Sequence, residues 1–159
     1  AKRLSGFECR VVVFDPYVDA KEIEAHGVDV ADSLDSLLEA SDFVSLHMRI
    51  SSDTHHMIDA EALRRMKPTA YLVNTARADL VDEEALVDAL RGHRIGGAAI
   101  DVYAEEPIGT DHPYLSLDNV TLVSHLAGTS ADTMQTSVEI GFEDLEAYLK
   151  GEELINRRA

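Results

Sequence analysis

Short apolar runs alternate with amphipathic stretches from one end of the chain to the other. This is the pattern of repeated strand-helix units around a parallel sheet. The apolar runs are RVVVF (10–14), VDV (28–30), DFVSLHM (42–48), AYLVNT (70–75), GGAAIDV (96–102) and VTLVSH (120–125). Most are apolar on both faces, as expected of parallel strands covered by helices on each side. Between them, DAKEIEAHG starts with an acid and stops at Gly27, and DSLDSLLEA sets Leu34, Leu37 and Leu38 on one face. Asp59 can cap DAEALRRM ahead of Pro68, and Asp82 can cap DEEALVDALRG, with Leu86 and Leu90 one turn apart. A last helix over 131–150 carries Met134, Val138, Phe142, Leu145 and Leu149 on one stripe, and Gly151 ends it. Such a stripe predicts core packing. The fold class is α/β, a doubly wound parallel sheet of one compact unit.

Composition narrows the function classes. With 159 residues, 45% apolar and 28% charged, the chain can bury a sizeable core as one domain. Thirty acidic against fourteen basic residues give a formal charge of −16, which repels nucleic acid and anionic membranes, so neither is expected as a partner. No run approaches the roughly eighteen apolar residues of a membrane span. With no charged-then-apolar leader at its start, a cytoplasmic protein is expected. The single cysteine, Cys9, follows as a small core residue next to VVVF. The chain opens at Ala1 on AKRLSGF, which reads as the last turn of a helix and suggests a fragment.

In open α/β sheets, ligands bind outside the carboxyl ends of the strands. Those ends hold Asp15, His47, the run Asn74 to Arg77, Asp101 and His125. Asp15, in FDPY, is either a turn former before Pro16 or a carboxylate that binds the adenosine ribose diol of a dinucleotide. In the second case it repels a 2′-phosphate, which favours NAD over NADP. Arg77, in VNTARADLVD, is either a surface residue or the partner of an anion, because a cation just before a helix start gains nothing from the helix dipole. A substrate carboxylate fits its planar fork. Glu106 is one of a pair of loop acids, held extended by Pro107. His125, in TLVSHLAG, is either a packed core histidine or a proton carrier, and Ala127 and Gly128 behind it leave room for a ligand.

These residues carry a resemblance. The stretches NTARADLVDEEALVDAL, GGAAIDVYAEEP and DNVTLVSHLAGTS, in this order, closely resemble the D-isomer-specific 2-hydroxyacid dehydrogenases, and SLHMRISSDTHHMIDAEALRRMKPTAYLVN looks like the segment that precedes them in that family. The resemblance implies a Rossmann-like NAD-binding domain and a catalytic set of Arg77, Glu106 and His125. It implies cofactor contacts from Asp15, His47, Thr54, Thr75, Ala76, Arg77, Asp101, His125, Ala127 and Gly128, and no metal. The substrate is then a small 2-hydroxy or 2-keto acid, and the full-length protein is expected to be a homodimer. In these roles His125 exchanges the hydroxyl proton, Glu106 orients its ring and favours the protonated form, and Arg77 binds the substrate carboxylate and polarises the carbonyl.

Departures from the family pattern fall at Arg49, Ser51, Ser52, Ala78 or Asp79, and Ser124, where members usually carry proline, threonine or proline, glycine, and proline. Arg49 and Asp79 bring charge to the cofactor side. The first strand-helix unit with its glycine-rich GxGxxG loop is expected to lie ahead of Ala1. Residues 1–151 then form a partial NAD-binding domain, and 152–159 start the crossover to a substrate lobe. Without the central strand, the first and third strands must pair directly or leave open edges, so the isolated piece is expected to be unstable and inactive. A regulatory NAD sensor on the same fold is the alternative reading.

Overall fold

The computed structural model describes residues 2–154. Six short strands are all paired in parallel: β1 (Val12–Val13), β2 (Asp29–Val30), β3 (Phe43–Leu46), β4 (Tyr71–Asn74), β5 (Gly97–Ile100) and β6 (Val120–Leu122). Among the described residues, α1 (Ala20–Glu24), α2 (Leu34–Ala40), α3 (Ala60–Arg65) and α4 (Glu83–Arg91) alternate with the first five strands, a 3-10 turn over Pro113–Ser116 joins β5 to β6, and α5 (Ala131–Lys150) follows β6. Each strand is shorter than its apolar run because a parallel ladder lasts only where both neighbours are in register. β4 pairs with β3 from Phe43↔Tyr71 to Leu46↔Asn74 and with β5 from Tyr71↔Gly97 to Asn74↔Ile100.

The helix starts follow local chemistry. Asp59 accepts hydrogen bonds from the amides of Glu61 and Ala62, and Asp82 from that of Ala85, as their spacing predicted. Ser33 and Ser36 form a reciprocal capping box on α2. At the other end of α5, Gly151 adopts φ 71°, the left-handed stop that a residue without Cβ takes without strain.

The strands form two sheets, a β1-β2 pair and a four-stranded sheet in the order β3-β4-β5-β6. Of the two arrangements the sequence allowed, the structure adopts open edges: β1 does not pair with β3. The larger sheet is buried on one side only. Val44, Leu46, Leu72, Ala98 and Ile100 share a core cluster with Leu38 of α2, Leu63 of α3, and Leu86 and Leu90 of α4. The alternate residues Phe43 and Tyr71 are 71% and 45% exposed and stack on each other at 5.6 Å. Within the first unit, α2, α3 and α4 all pack on this one face.

The chain divides into two compact units, with the boundary between Val123 and Ser124. Within the second unit, α5 runs over the residues its stripe predicted, but the stripe is not core. Met134, Val138, Phe142, Leu145 and Leu149 are 50 to 75% exposed and only Ala147 is buried, since the described part of this unit holds no second element to cover them. Cys9 is likewise exposed rather than core: it lies ahead of the two-residue β1, outside the packed sheet. Leu4–Phe7 form a 3-10 turn rather than the end of an α-helix. Of the proposed crossover 152–159, residues 155–159 lie outside those described. No described helix is long and apolar enough to cross a membrane.

Candidate functional site

The carboxyl ends of β3 and β4 open into a cavity of about 470 Å³ whose walls include His47, Arg49, Thr75, Ala76 and Arg77. Behind its Thr75–Arg77 wall lies Asn74, the last residue of β4, buried at 2% exposure. The Asn74 side-chain amide donates to the Arg77 carbonyl at 2.8 Å, and its side-chain oxygen accepts from the Ala76 amide at 3.0 Å. One buried side chain thus closes the turn that presents Thr75, Ala76 and Arg77. Sequence reading placed Asn74 among the strand ends but missed this role; its polarity on an otherwise apolar strand was the available signal.

Arg77 is exposed, and its guanidinium donates to the neighbouring Ala76 carbonyl at 2.6 Å. Among the described residues neither Arg77 nor Arg49 has a carboxylate partner within ion-pair distance, although the chain carries thirty acids. Two arginines without acids on one cavity wall leave positive charge there for an anionic group. A second cavity of about 350 Å³ has Asp79, Asp82, Glu83 and Glu84 among its lining residues. Its charge is the wrong sign for a carboxylate or a pyrophosphate.

The loop after β3 is tied by Thr54. Its hydroxyl donates to the Arg49 carbonyl at 2.8 Å and accepts from the Ser51 amide at 2.8 Å. Thr54 therefore shapes the rim that carries Arg49. His47 lies on the same rim, with Nε2 at 2.9 Å from the Ser45 hydroxyl. Asp15, exposed just beyond β1, accepts from the Tyr17 amide at 2.9 Å, so the turn-forming reading holds and the rest of the carboxylate still faces solvent.

At the end of β5, Asp101 is buried at 3% exposure. Five residues on, Glu106 is exposed, its Oε1 accepts from the Tyr103 amide at 3.0 Å, and its bond to Pro107 is cis. The Tyr103 hydroxyl donates to the Val123 carbonyl at 2.7 Å and lies 3.1 Å from the Ile100 carbonyl. Burial raises the Tyr103 pKa above the usual phenol value, with a smaller push from Asp101 and Glu106, so the hydroxyl stays a donor well into the alkaline range.

In the second unit, His125 is exposed and lies past the strand end, with φ 55°. The packed-core reading of this histidine is excluded. A left-handed backbone at a residue with a Cβ is uncommon and concentrates at functional sites. Behind it, the Thr129 amide bonds the Leu126 carbonyl at 2.9 Å, and a Cβ built at Gly128 meets nothing within 4 Å, so the turn at Ala127 and Gly128 is open. The first unit thus brings His47, Thr75, Ala76 and Arg77 around one cavity, with Thr54 tying the loop that carries Arg49 and with Asp15, Asp101 and Glu106 at or beyond other strand ends, while His125, Ala127 and Gly128 belong to the second unit.

The model of the D-isomer specific 2-hydroxyacid dehydrogenase family, NAD binding domain, matches residues 1–127. The chain belongs to this family. It is 43% identical over 155 residues to a glyoxylate reductase of Thermofilum pendens, covering 96% of this chain and 45% of that protein. It is 36% identical over 151 residues to a D-3-phosphoglycerate dehydrogenase of Methanocaldococcus jannaschii, covering 95% of this chain and 29% of that protein. Among solved structures, D-lactate dehydrogenase with NAD+ from Lactobacillus jensenii superposes with a TM-score of 0.89 at 28% identity, over 100% of this chain and 51% of that one. The chain thus spans about half the length of these relatives, or less. Their fold is the Rossmann-like parallel sheet with helices found here.

The residues present fit a dinucleotide. In the first unit, the cavity wall offers two arginines to anionic groups, a solvent-facing carboxylate at Asp15 suits a ribose diol, and the small side chain of Ala76 allows close backbone approach.

Proposed function

We propose that the chain is the cofactor-binding part, residues 1–151, of an NAD-dependent oxidoreductase that interconverts a D-2-hydroxy acid and its 2-keto acid. The observation that carries this reading is Arg77, which lines the strand-end cavity with no acidic partner among the described residues and whose backbone carbonyl is bonded by the Asn74 side chain. When bound, the nicotinamide supplies or accepts the hydride. Arg77 binds the substrate carboxylate with two parallel N–H donors and turns the carbonyl toward the reacting face. As charge builds on the carbonyl oxygen, the same guanidinium stabilises it. His125 gives that oxygen a proton in reduction and removes it in oxidation, the exchange an imidazole nitrogen can make in either direction.

Glu106 holds the His125 ring in one tautomer and favours its charged form; the Tyr103 amide fixes the carboxylate for this role. Asp15 selects the cofactor that lacks a 2′-phosphate. Thr75, Ala76 and Asp101 contact the cofactor directly, His47 and the Thr54-closed loop border it, and Ala127 and Gly128 give it room. The full-length protein acts as a homodimer on small 2-hydroxy or 2-keto acids, in the cytoplasm. The 159 residues alone have negligible activity, since β1 and β3 keep unpaired edges.

The test uses the full-length protein. NADH oxidation is followed with glyoxylate, hydroxypyruvate and larger 2-keto acids, and His125→Ala is expected to lower kcat by about a thousandfold. An unchanged rate in that variant sinks the proposal.

A further inference from the structure

Among the described residues β6 is an edge strand, paired with β5 alone, and its ladder ends at Ile100↔Leu122. Val123 follows that last pair, and its amide still donates to the Ile100 carbonyl at 2.9 Å. Its own carbonyl, on the free edge, has no further strand to bond. Nor does burial hold this residue, since Val123 is 40% exposed. What fixes the carbonyl is the Tyr103 hydroxyl at 2.7 Å, which reaches over from the loop after β5 and also contacts the Ile100 carbonyl at 3.1 Å.

The same residue faces the other way along the backbone. The Tyr103 amide donates to Glu106 Oε1 at 3.0 Å, and its ring meets the His112 ring edge-on at 6.2 Å. Two residues after the clamped carbonyl stands His125 with its left-handed φ of 55°. Such a backbone persists only where its surroundings over-determine it. The chain entering it must be held.

We propose that Tyr103 is a positioning residue for the acid-base step, its hydroxyl anchoring the strand end that leads into His125 while its amide aims Glu106. This rests on the proposed roles of His125 and Glu106 and adds a residue outside that set. A single residue, two beyond Asp101, thereby holds the carboxylate through its amide and the peptide ahead of the histidine through its hydroxyl. The hydroxyl carries out one half of this and the amide the other, so removing the oxygen alone separates them.

The experiment compares wild type, Tyr103→Phe, Tyr103→Leu and His125→Ala in the full-length enzyme with NADH and its best 2-keto acid. Tyr103→Phe keeps the ring and the amide. It is expected to lower kcat about tenfold with little change in KM for NADH, since small misplacements of a reacting group are expensive. The pH profile of kcat should change together with kcat, which a merely structural loss would not bring about. Tyr103→Leu should reproduce the profile shift with a larger loss of Tm. A Tyr103→Phe enzyme with unchanged kcat and pH profile overturns the proposal, as does one that loses only Tm. If Tyr103→Phe does not fold, soluble Tyr103→Leu with a wild-type profile overturns it equally. His125→Ala separates the two levels: inactivity leaves the functional reading standing whatever Tyr103→Phe does, and full activity removes both.

Discussion

The side chain of Asn74 and the backbone of Arg77 are bonded directly, amide to carbonyl at 2.8 Å, and the same side chain accepts from the Ala76 amide at 3.0 Å. The turn that offers an arginine to the cavity is therefore held from beneath by a buried polar group. Asn74→Ala strips both bonds and leaves the Ala76 amide and the Arg77 carbonyl short of a partner. A loss of about 2 to 4 kcal/mol of stability is expected, measured by urea unfolding. In the full-length enzyme, KM for the keto acid is expected to rise about tenfold, because Arg77 is displaced and not removed. A destabilised variant with wild-type KM separates the turn from the site.

The alternation of apolar runs and capped helices made the fold class legible, since the parallel ladder, the Asp59 and Asp82 caps and the Gly151 stop all follow from local chemistry. What stayed hidden depends on neighbours distant in sequence. Phe43 and Tyr71 read as interior strand positions, yet they face outward because the packing helices lie on one side of the larger sheet. The apolar stripe of α5 shows the same limit: periodicity reports that a helix has an apolar face, not what covers it. In the site, the strand ends picked out Asp15, His47, Arg77, Asp101 and His125 because a parallel sheet exposes its carboxyl ends whatever the ligand. The Tyr103 contact with Val123 spans twenty residues and carries no local pattern, so only the structure reveals it.

Asp15 makes one backbone bond, to the Tyr17 amide at 2.9 Å, and otherwise faces solvent at the end of β1. If it receives the ribose diol, its charge is what rejects a 2′-phosphate. Asp15→Ser keeps an oxygen for the turn and removes that charge. The ratio of kcat/KM for NADPH over NADH is expected to rise by at least about tenfold, equivalent to roughly 1.4 kcal/mol. Steady-state kinetics with both cofactors decides this, and an unchanged ratio returns Asp15 to a turn former only.

Tyr114 is buried at 4% exposure, and burial together with the nearby Glu83 carboxylate raises its pKa beyond the usual phenol range. The neutral form is the protonated one, so the folded state holds this proton more tightly than the unfolded chain. The linked stability is fully present below about pH 10, the unfolded value, and is lost as pH rises beyond it toward the folded value. The slope from this one group reaches at most about 1.4 kcal/mol per pH unit. Urea unfolding at pH 9 and pH 11 is expected to show a smaller loss for Tyr114→Phe than for wild type, since lysines titrate equally in both. Equal losses would contradict the assignment.

Gly97 opens β5 where β4 lies closest. A Cβ built there comes to 2.6 Å from the Asn119 carbonyl oxygen and 2.7 Å from the Tyr71 ring. The ring, on an exposed side chain, can turn away, but the carbonyl cannot, because Asn119 accepts the Ala98 amide at 3.1 Å in the approach to β6. Gly97→Ala must therefore push β6 from β5 or break that bond, at a cost of about 1 to 3 kcal/mol. The displacement travels along β6 toward Val123, whose carbonyl is bonded to Tyr103 at 2.7 Å. Activity in the full-length enzyme is thus expected to fall with stability, although Gly97 lies at the strand end opposite the cavity. A melt that drops by several degrees beside unchanged kcat would show that the far end of β6 is held independently of its start.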